Sequence, residues 1–153
     1  MTLIPNSTPN STPTPPPSPT SAKRPLPGLT HDNRAFWTGG ESGQLLIQRC
    51  GACGRFQHPP RPMCTSCGGR AVQPTPVSGK GKVMTMTINH QKWLPNLDVP
   101  YVFAAVELAE QEGLYVLTNV TKCDAEKVHI GMKVKAFFEH IDDIYFPLFE
   151  PDA

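Results

Sequence analysis

Long hydrophobic runs, a strong net charge and familiar catalytic motifs are all missing from this 153-residue sequence, whose formal charge at pH 7 is +1. No apolar stretch approaches the roughly 20 residues that a membrane helix needs, and the first residues lack the apolar core of a secretory signal. A charge this small gives no general attraction to nucleic acid or to anionic membranes. We therefore expect a cytoplasmic protein of one ordinary domain or two very small ones.

The motifs of phosphate-binding loops, dinucleotide-binding folds, serine hydrolases and zinc peptidases do not occur. Cys123 is the one cysteine outside the paired ones, and His129 follows it in sequence. A small residue at a turn is nevertheless a better interpretation of Cys123 than a nucleophile. Histidines outside the cysteine-rich stretch share no metal-ligand spacing: His31, His90, His129 and His140. The sequence therefore predicts no catalytic residues.

Acidic residues are absent between Glu41 and Asp98, whereas seven basic residues occur there: Arg49, Arg55, Arg61, Arg70, Lys80, Lys82 and Lys92. From Asp98 onward the balance reverses, with eleven acidic residues against four lysines. The cysteine-rich half is therefore basic and the C-terminal half acidic. An acidic C-terminal half argues against a nucleic-acid-binding surface there.

Residues 1–28 contain half of the eighteen prolines, mixed with Ser, Thr and Asn. A segment with so little apolar content cannot offset its chain entropy, so we predict a disordered tail over 1–28. Residues 29–42 predict a short helical lead-in, with Thr30 as its cap and Gly39 near its end. Phe36 and Trp37 are the only large apolar side chains of this lead-in. Because one short helix cannot bury both rings against its own small domain, we predict that they form a partner interface.

Four cysteines form two Cys-x-x-Cys pairs in the stretch RCGACGRFQHPPRPMCTSCGG. In a reducing compartment such pairs indicate metal ligands or redox groups before disulfides. Glycines follow each pair and permit the tight turns that bring two sulfurs to one ion. Residues 43–77 therefore predict a rubredoxin-like zinc ribbon with four ligands: Cys50, Cys53, Cys64 and Cys67. Iron in the rubredoxin manner, and His58 as a ligand, are the alternatives.

Four thiolates around Zn²⁺ carry a net charge of minus two, which the nearby arginines would help to neutralise. A binding role for those arginines is an equally good interpretation. Because all four coordination positions are filled by protein, we expect the metal to be structural, folding a segment with little apolar content of its own.

Residues 78–150 contain five stretches rich in β-branched and aromatic residues, with one helical turn expected between the third and fourth. This order predicts a mainly β protein that ends in a five-stranded OB-fold barrel, with an SH3-like barrel or small sandwich as alternatives. In the first strand the alternation places Val83, Thr85 and Thr87 on one face. Lys92 and Trp93, in the next loop, offer a positive charge and a stacking surface, although Trp93 could equally pack over the barrel mouth.

The stretches FWTGGESGQLLIQRCGACGRFQHPPRPMCTSCGG, SGKGKVMTMT and VHIGMKVKAFFE resemble the domain-of-unknown-function family that joins a zinc ribbon to an OB-fold and accompanies thiolase-like enzymes. The resemblance implies a small non-catalytic subunit bound to a thiolase, acyltransferase or retro-aldolase that acts on acyl-CoA thioesters. It also implies that the barrel helps to receive CoA. On charge alone, Arg61 and Lys92 are the candidate residues, with Trp93 as a stacking ring beside Lys92. The alternatives are a single-stranded nucleic-acid-binding module and a rubredoxin-like electron carrier.

Overall fold

The computed structural model describes residues 24–94 and 97–152. Most of the predicted tail, residues 1–23, lies outside this range. The elements in chain order are α1 (Arg34–Thr38), a 3₁₀ turn (Gly39–Ser42), β1 (Leu45–Cys50), β2 (Phe56–Gln57), β3 (Val72–Val77), β4 (Lys80–Asn89), β5 (Tyr101–Leu108), β6 (Tyr115–Val120), a second 3₁₀ turn (Ala125–Lys127), β7 (Lys133–Ile141) and β8 (Ile144–Pro151). The fold is therefore mainly β with one short helix, as the sequence predicts.

Strands β1, β2 and β3 form a small antiparallel sheet in the order β2-β1-β3. Strand β1 runs directly into the first cysteine pair, and β3 begins shortly after the second. The sheet therefore holds the two ends of the cysteine-rich stretch together.

Strands β4 to β8 close into a barrel in the order β4-β5-β6-β8-β7, with β6 and β8 parallel and the other pairs antiparallel. A tight hairpin joins β5 to β6, where Gly113 has a positive φ of 76° that favours glycine. The second 3₁₀ turn lies between β6 and β7. This strand order confirms the predicted OB-fold barrel.

The core is one continuous cluster in which barrel valines are the most numerous members. Leu45 and Ile47 of β1 join it, as does Phe36 of α1, which is only 5% exposed. Ribbon and barrel are also linked by the Gln111 side chain. Its amide donates to the Phe56 carbonyl at 3.0 Å and accepts from the Phe56 N–H at 2.9 Å.

Two local expectations differ from the structure. Asn33, not Thr30, directly precedes α1, although the Thr30 hydroxyl accepts from the N–H of Asn33 at 3.3 Å. Gly39 is the C-cap of α1, as expected, and a 3₁₀ turn continues from it. In β4 a bulge between Val83 and Thr85 breaks the predicted alternation. Val83 is buried, whereas Thr85 is exposed. A bulge inserts one unpaired residue and moves all later side chains to the opposite face.

Candidate metal centre and neighbouring surfaces

The two Cys-x-x-Cys turns share one hydrogen-bond pattern. In the first turn, the N–H of Cys50 donates to the Arg55 carbonyl at 2.9 Å, and the N–H of Gly54 donates to the Cys50 carbonyl at 2.8 Å. The second turn, from Cys64 to Gly69, repeats both bonds at 2.8 and 3.0 Å. Gly54 and Gly68, the equivalent fifth residues, have φ of 75° and 71°. The left-handed backbone at this position therefore favours glycine in each turn.

The four cysteine sulfurs lie within 4.8 Å of one another. Cys50 and Cys67 are separated by 3.7 Å between their Sγ atoms, as are Cys53 and Cys64. A tetrahedral site with Zn–S bonds of about 2.3 Å has sulfur–sulfur edges of about 3.8 Å, whereas a disulfide is about 2.05 Å long. The sulfur arrangement therefore fits a tetrahedral ion and not a pair of disulfides.

Backbone N–H groups lower the pKa of the first cysteine of each turn. The N–H of Cys67, followed by that of Ser66, lowers the pKa of Cys64 to about 6. The N–H of Cys53 is the main cause of the lowered pKa of Cys50. Because the thiolate is the form that binds metal, these turns prepare their first cysteines for coordination.

The pKa of Cys67 moves the other way. The N–H of Gly69 lowers it, but hydrogen bonding with the other three cysteines, Cys53 first, outweighs that effect and raises the pKa to about 12. A divalent cation placed among the sulfurs would favour the thiolate form of all four. The donor set therefore fits the predicted zinc.

A buried amide network supports the turns from within the ribbon. Gln48 and Gln57 are 7% and 8% exposed, and Gln57 Nε2 donates to Gln48 Oε1 at 2.9 Å. Gln48 Oε1 also accepts from the N–H of Arg61 at 2.8 Å, and Gln57 Oε1 accepts from the N–H of Thr65 at 3.0 Å. These bonds fix the loop between the cysteine pairs. Sequence reasoning overlooked both glutamines because nothing local marks them as buried.

His58 is not a member of the cysteine cluster. Its ring packs against Phe36 with a centroid distance of 4.5 Å, and burial lowers its pKa to about 4. Its Nδ1 atom is buried with no hydrogen-bond partner among the described residues. The ring is therefore neutral and serves the contact between ribbon and helix. The other thiol, Cys123, is partly buried, and burial raises its pKa.

The two aromatic residues proposed as a partner interface occupy different environments. Phe36 lies in the core, whereas Trp37 is only partly buried. The Trp37 ring contacts the rings of Phe36 and Phe146 edge-on, at centroid distances of 4.9 and 5.7 Å. Of the two, Trp37 is the ring that reaches the surface.

The three candidate CoA residues lie on two separate loops of the molecule. Arg61 belongs to the ribbon loop, whereas Lys92 and Trp93 belong to the loop between β4 and β5. Trp93 is 73% exposed, and its indole N–H donates to Asn89 Oδ1 at 3.2 Å. Among the described residues, no hydrogen bond or ring contact joins Arg61 to the other two.

A group of lysines lies where β4 meets β7. Lys80 pairs with Lys135 and Lys82 with Lys133 directly across the two strands, an arrangement that is destabilising unless counter-charges are present. Three of the four have carboxylate partners within 4.0 Å, whereas Lys133 has none among the described residues. Three of these lysines line a groove of about 760 Å³. The alternating GKGK sequence was the available signal for this basic surface.

Over the part of the chain that the structure describes, no helix has the length and apolar character needed to cross a membrane.

The cysteine cluster and the order of the barrel strands define the molecule as a zinc-ribbon protein with an OB-fold barrel. Two family profiles match it: "ChsH2, rubredoxin-like zinc ribbon domain" over residues 37–73 and "ChsH2, C-terminal OB-fold domain" over residues 74–139.

A similar protein and a similar solved structure support the same family. A "DUF35 domain-containing scaffold protein" of Methanocaldococcus jannaschii is 35% identical over 101 residues, which cover 65% of this chain and 70% of the relative. A solved structure described as "Ltp2-ChsH2(DUF35) aldolase" is 32% identical with a TM-score of 0.74, and the match covers 82% of this chain and 98% of that chain. The protein therefore belongs to the DUF35 family of ChsH2-type zinc-ribbon and OB-fold proteins.

A longer relative carries an enzyme name. The "3-oxo-4,17-pregnadiene-20-carboxyl-CoA hydratase alpha subunit" of Mycobacterium tuberculosis is 33% identical over 126 residues, which cover 82% of this chain. The matched part spans only 40% of that subunit's length.

Proposed function

We propose that this protein is a non-catalytic accessory subunit of a thiolase-like acyl-CoA enzyme. The observation that carries the proposal is the match, over 98% of its length, to a DUF35 chain whose name places it in an aldolase with a second component. The names of the other relatives, a scaffold protein and an acyl-CoA hydratase subunit, support the same class. The predicted absence of catalytic residues is consistent with a supporting role.

In this proposal the zinc ligands are Cys50, Cys53, Cys64 and Cys67, and the metal is structural. When bound, zinc links two turns that come from distant parts of the ribbon. The protein fills all four positions of a tetrahedral site, so no position remains for water or substrate. The ribbon then acts as a rigid support for the surfaces around it.

The partner contact is centred on Trp37 in this proposal, with Phe36 supporting it from the core. A half-buried Trp beside other aromatic rings has the character of an interface residue that contributes much of the binding energy. We expect Trp37→Ala to weaken the complex by about 2 kcal/mol or more while zinc content stays the same. Ile130→Ala, at a residue that is 66% exposed on another loop, is the matched control and should leave the complex intact.

The test is to recover a tagged copy of the chain from its own cells and identify what co-purifies. A thiolase-like polypeptide is expected, together with acyl-CoA turnover by the complex and none by the isolated chain. The proposal is overturned if the chain alone catalyses a reaction. It is also overturned if the chain is a stable monomer that binds single-stranded nucleic acid tightly at physiological salt.

Two basic surfaces are alternative candidates for binding the CoA phosphates. We retain Arg61 and Lys92, with Trp93 as the stacking ring, as the first assignment, and the unpaired Lys133 beside the groove is the second. Neutralising the correct lysine should raise the apparent KM for the thioester without dissociating the complex. Lys92→Ala and Lys133→Ala therefore distinguish the two surfaces, and no change in either variant would remove CoA binding from the proposal.

A cytoplasmic location completes the proposal. Thiol groups that must stay reduced to hold a metal suit a reducing compartment. Fractionation of cells that express the tagged chain tests this assignment.

A further inference from the structure

The barrel has a seam where β6 meets β8. The two strands pair only where Val120 lies opposite Phe149, and Pro147 of β8 has no N–H to donate toward β6. The Thr118 hydroxyl of β6 donates instead to the Pro147 carbonyl, at 2.8 Å. A side-chain hydrogen bond therefore takes the place of a backbone one at this part of the seam.

Arg24 spans the same seam. Its Nη1 donates to Asn119 Oδ1 of β6 at 2.8 Å, and its Nε donates to Glu139 Oε2 of β7 at 2.7 Å. Because β8 lies between β6 and β7 in the barrel, one guanidinium links the strands on either side of β8. Asn119 is itself held in place, since its Nδ2 donates to the Val102 carbonyl at 2.8 Å.

The surroundings of Arg24 favour a firm contact. Its side chain is only 19% exposed, and the planar guanidinium can donate to two acceptors at once. Solvent and salt screen such a pair less than they screen a pair on the open surface. The pair of Asp124 and Lys127 is of the exposed kind, although its N–O distance is also 2.7 Å.

Residues 24–28, which we call the strap, are fastened at both ends. Arg24 holds one end, and at the other end the Gly28 carbonyl accepts from Asn33 Nδ2 at 3.0 Å. Between these anchors, residues 25–27 form no hydrogen bond with any other described residue. Two of these three are prolines, whose restricted backbone lowers the entropy lost when the ends are fixed. Loss of one anchor should therefore detach the strap.

The strap forms one wall of a mainly apolar pocket of about 230 Å³. Arg24 and Pro25 line the pocket together with the rings of Trp37 and Phe146. Those two rings also contact each other, at a centroid distance of 5.7 Å. Detachment of the strap would remove its wall and leave the pocket open to solvent beside Trp37.

We propose that Arg24 fastens residues 24–28 across the seam as a strap, and that release of the strap opens the pocket beside Trp37. The ordered domain then begins at Arg24 and not at residue 29, the start that composition suggests. The inference goes beyond the proposed function and does not depend on it, because the strap and the pocket both belong to this chain.

Trypsin measures how often the strap detaches. Lys23 and Arg24 are the only lysine or arginine residues before Arg34, and trypsin cleaves the Arg24–Pro25 bond poorly. Cleavage after Lys23 requires Arg24 to leave its acceptors and enter the protease, so the rate follows the open fraction of the strap. A synthetic peptide of residues 17–30 gives the rate for an unfastened segment. The full chain should be cleaved more slowly than this peptide, and equal rates would overturn the proposal.

Glu139→Ala removes one acceptor and leaves the sequence around the cleaved bond unchanged. Cleavage after Lys23 should become about tenfold faster, the change expected when one charged hydrogen bond is lost. Asp124→Ala is the matched control, because it breaks the exposed ion pair with Lys127, and it should leave the rate unchanged. Unchanged zinc content in both variants excludes misfolding. Equal rates in the two variants would overturn the role of Arg24.

Quenching of tryptophan fluorescence by acrylamide tests the pocket. Trp93→Phe leaves Trp37 as the one tryptophan of the chain. In that background Glu139→Lys places a second cation against Arg24, so the strap should detach. Cleavage should then approach the rate of the peptide, and quenching of Trp37 should increase. Adding Arg24→Glu restores a pair of opposite charges and should lower the quenching again. Rapid cleavage with unchanged quenching would overturn the claim that the strap covers the pocket.

Discussion

The ribbon and the barrel are stabilised by different interactions although they share one core cluster. Besides Leu45 and Ile47 of β1, which join the shared core, the ribbon buries two glutamines and two cysteines. We therefore expect it to depend on hydrogen bonds and on a metal. The barrel buries valines and Phe149, several of which have no exposed surface. Because the hydrophobic effect scales with apolar area, the barrel can fold through its own side chains. Outside β1 the ribbon buries little apolar surface, so we expect it to need a metal in order to fold.

Loss of the metal should have the largest effect on stability. It should unfold the ribbon and leave the barrel largely folded. We expect Cys64→Ser to remove most zinc binding, since structural zinc sites contribute on the order of 10 kcal/mol. Amide protection should be lost in β1–β3 and largely kept in β4–β8. Cys123→Ser is the matched control, because this thiol lies outside the cluster. Elemental analysis that found zinc in Cys64→Ser but not in Cys123→Ser would contradict the ligand assignment.

A cavity in the barrel core should have the next largest effect on stability. It should weaken the barrel and leave the metal site of the ribbon intact. Phe149 has no exposed surface, and Phe149→Ala should reduce the free energy of unfolding by about 4 kcal/mol. Zinc content should stay near that of the unmodified protein. Phe103→Ala, at a ring that is 44% exposed on β5, should cost much less in denaturant unfolding. Equal losses in the two variants would show that burial in the barrel core is not the source of stability.

Acid should destabilise the junction between ribbon and helix through His58. Burial lowers the pKa of His58 from 6.5 to about 4 in the folded protein. Below pH 6.5 the unfolded chain therefore binds a proton that the folded protein does not, and stability falls until the pH reaches about 4. The shift corresponds to about 3 kcal/mol.

The measurement compares denaturant unfolding between pH 7 and 4 for the unmodified protein and His58→Leu. Both retain the cysteine ligands and Asp32, the charged residue that lines the groove beside His58. The difference between the two curves therefore isolates the imidazole. Parallel curves over this range would rule out its contribution.

The buried amide network should give the smallest of these effects. Gln48→Leu removes the acceptor for the Gln57 side chain and for the N–H of Arg61. Loss of these two hydrogen bonds should cost about 2 kcal/mol, or roughly a 30-fold rise in the zinc dissociation constant. Gln73→Leu, at an exposed position on β3, is the matched control. Competition with a zinc chelator measures both, and equal constants would contradict a role for the network.

Several features could be predicted because each depends on neighbours in sequence. The Cys-x-x-Cys spacing with Gly54 and Gly68 defines both turns, since a positive φ and two short-range hydrogen bonds suffice. The order of β-rich stretches, with Gly113 at one hairpin, indicates the barrel for a similar reason. The bulge in β4 could not be read from the sequence, because residues 83–88 alternate as regularly as an unbroken strand does.

The sequence by itself determined the metal-binding turns, the five barrel strands and their order, because local spacing, turn glycines and strand propensity act over a few residues. Only the tertiary structure decided that Phe36 enters the core while Trp37 reaches the surface. It alone also placed lysines directly opposite one another across β4 and β7. These outcomes depend on which distant strands and helices meet. Long-range packing determines those contacts, and the residues adjacent in sequence do not.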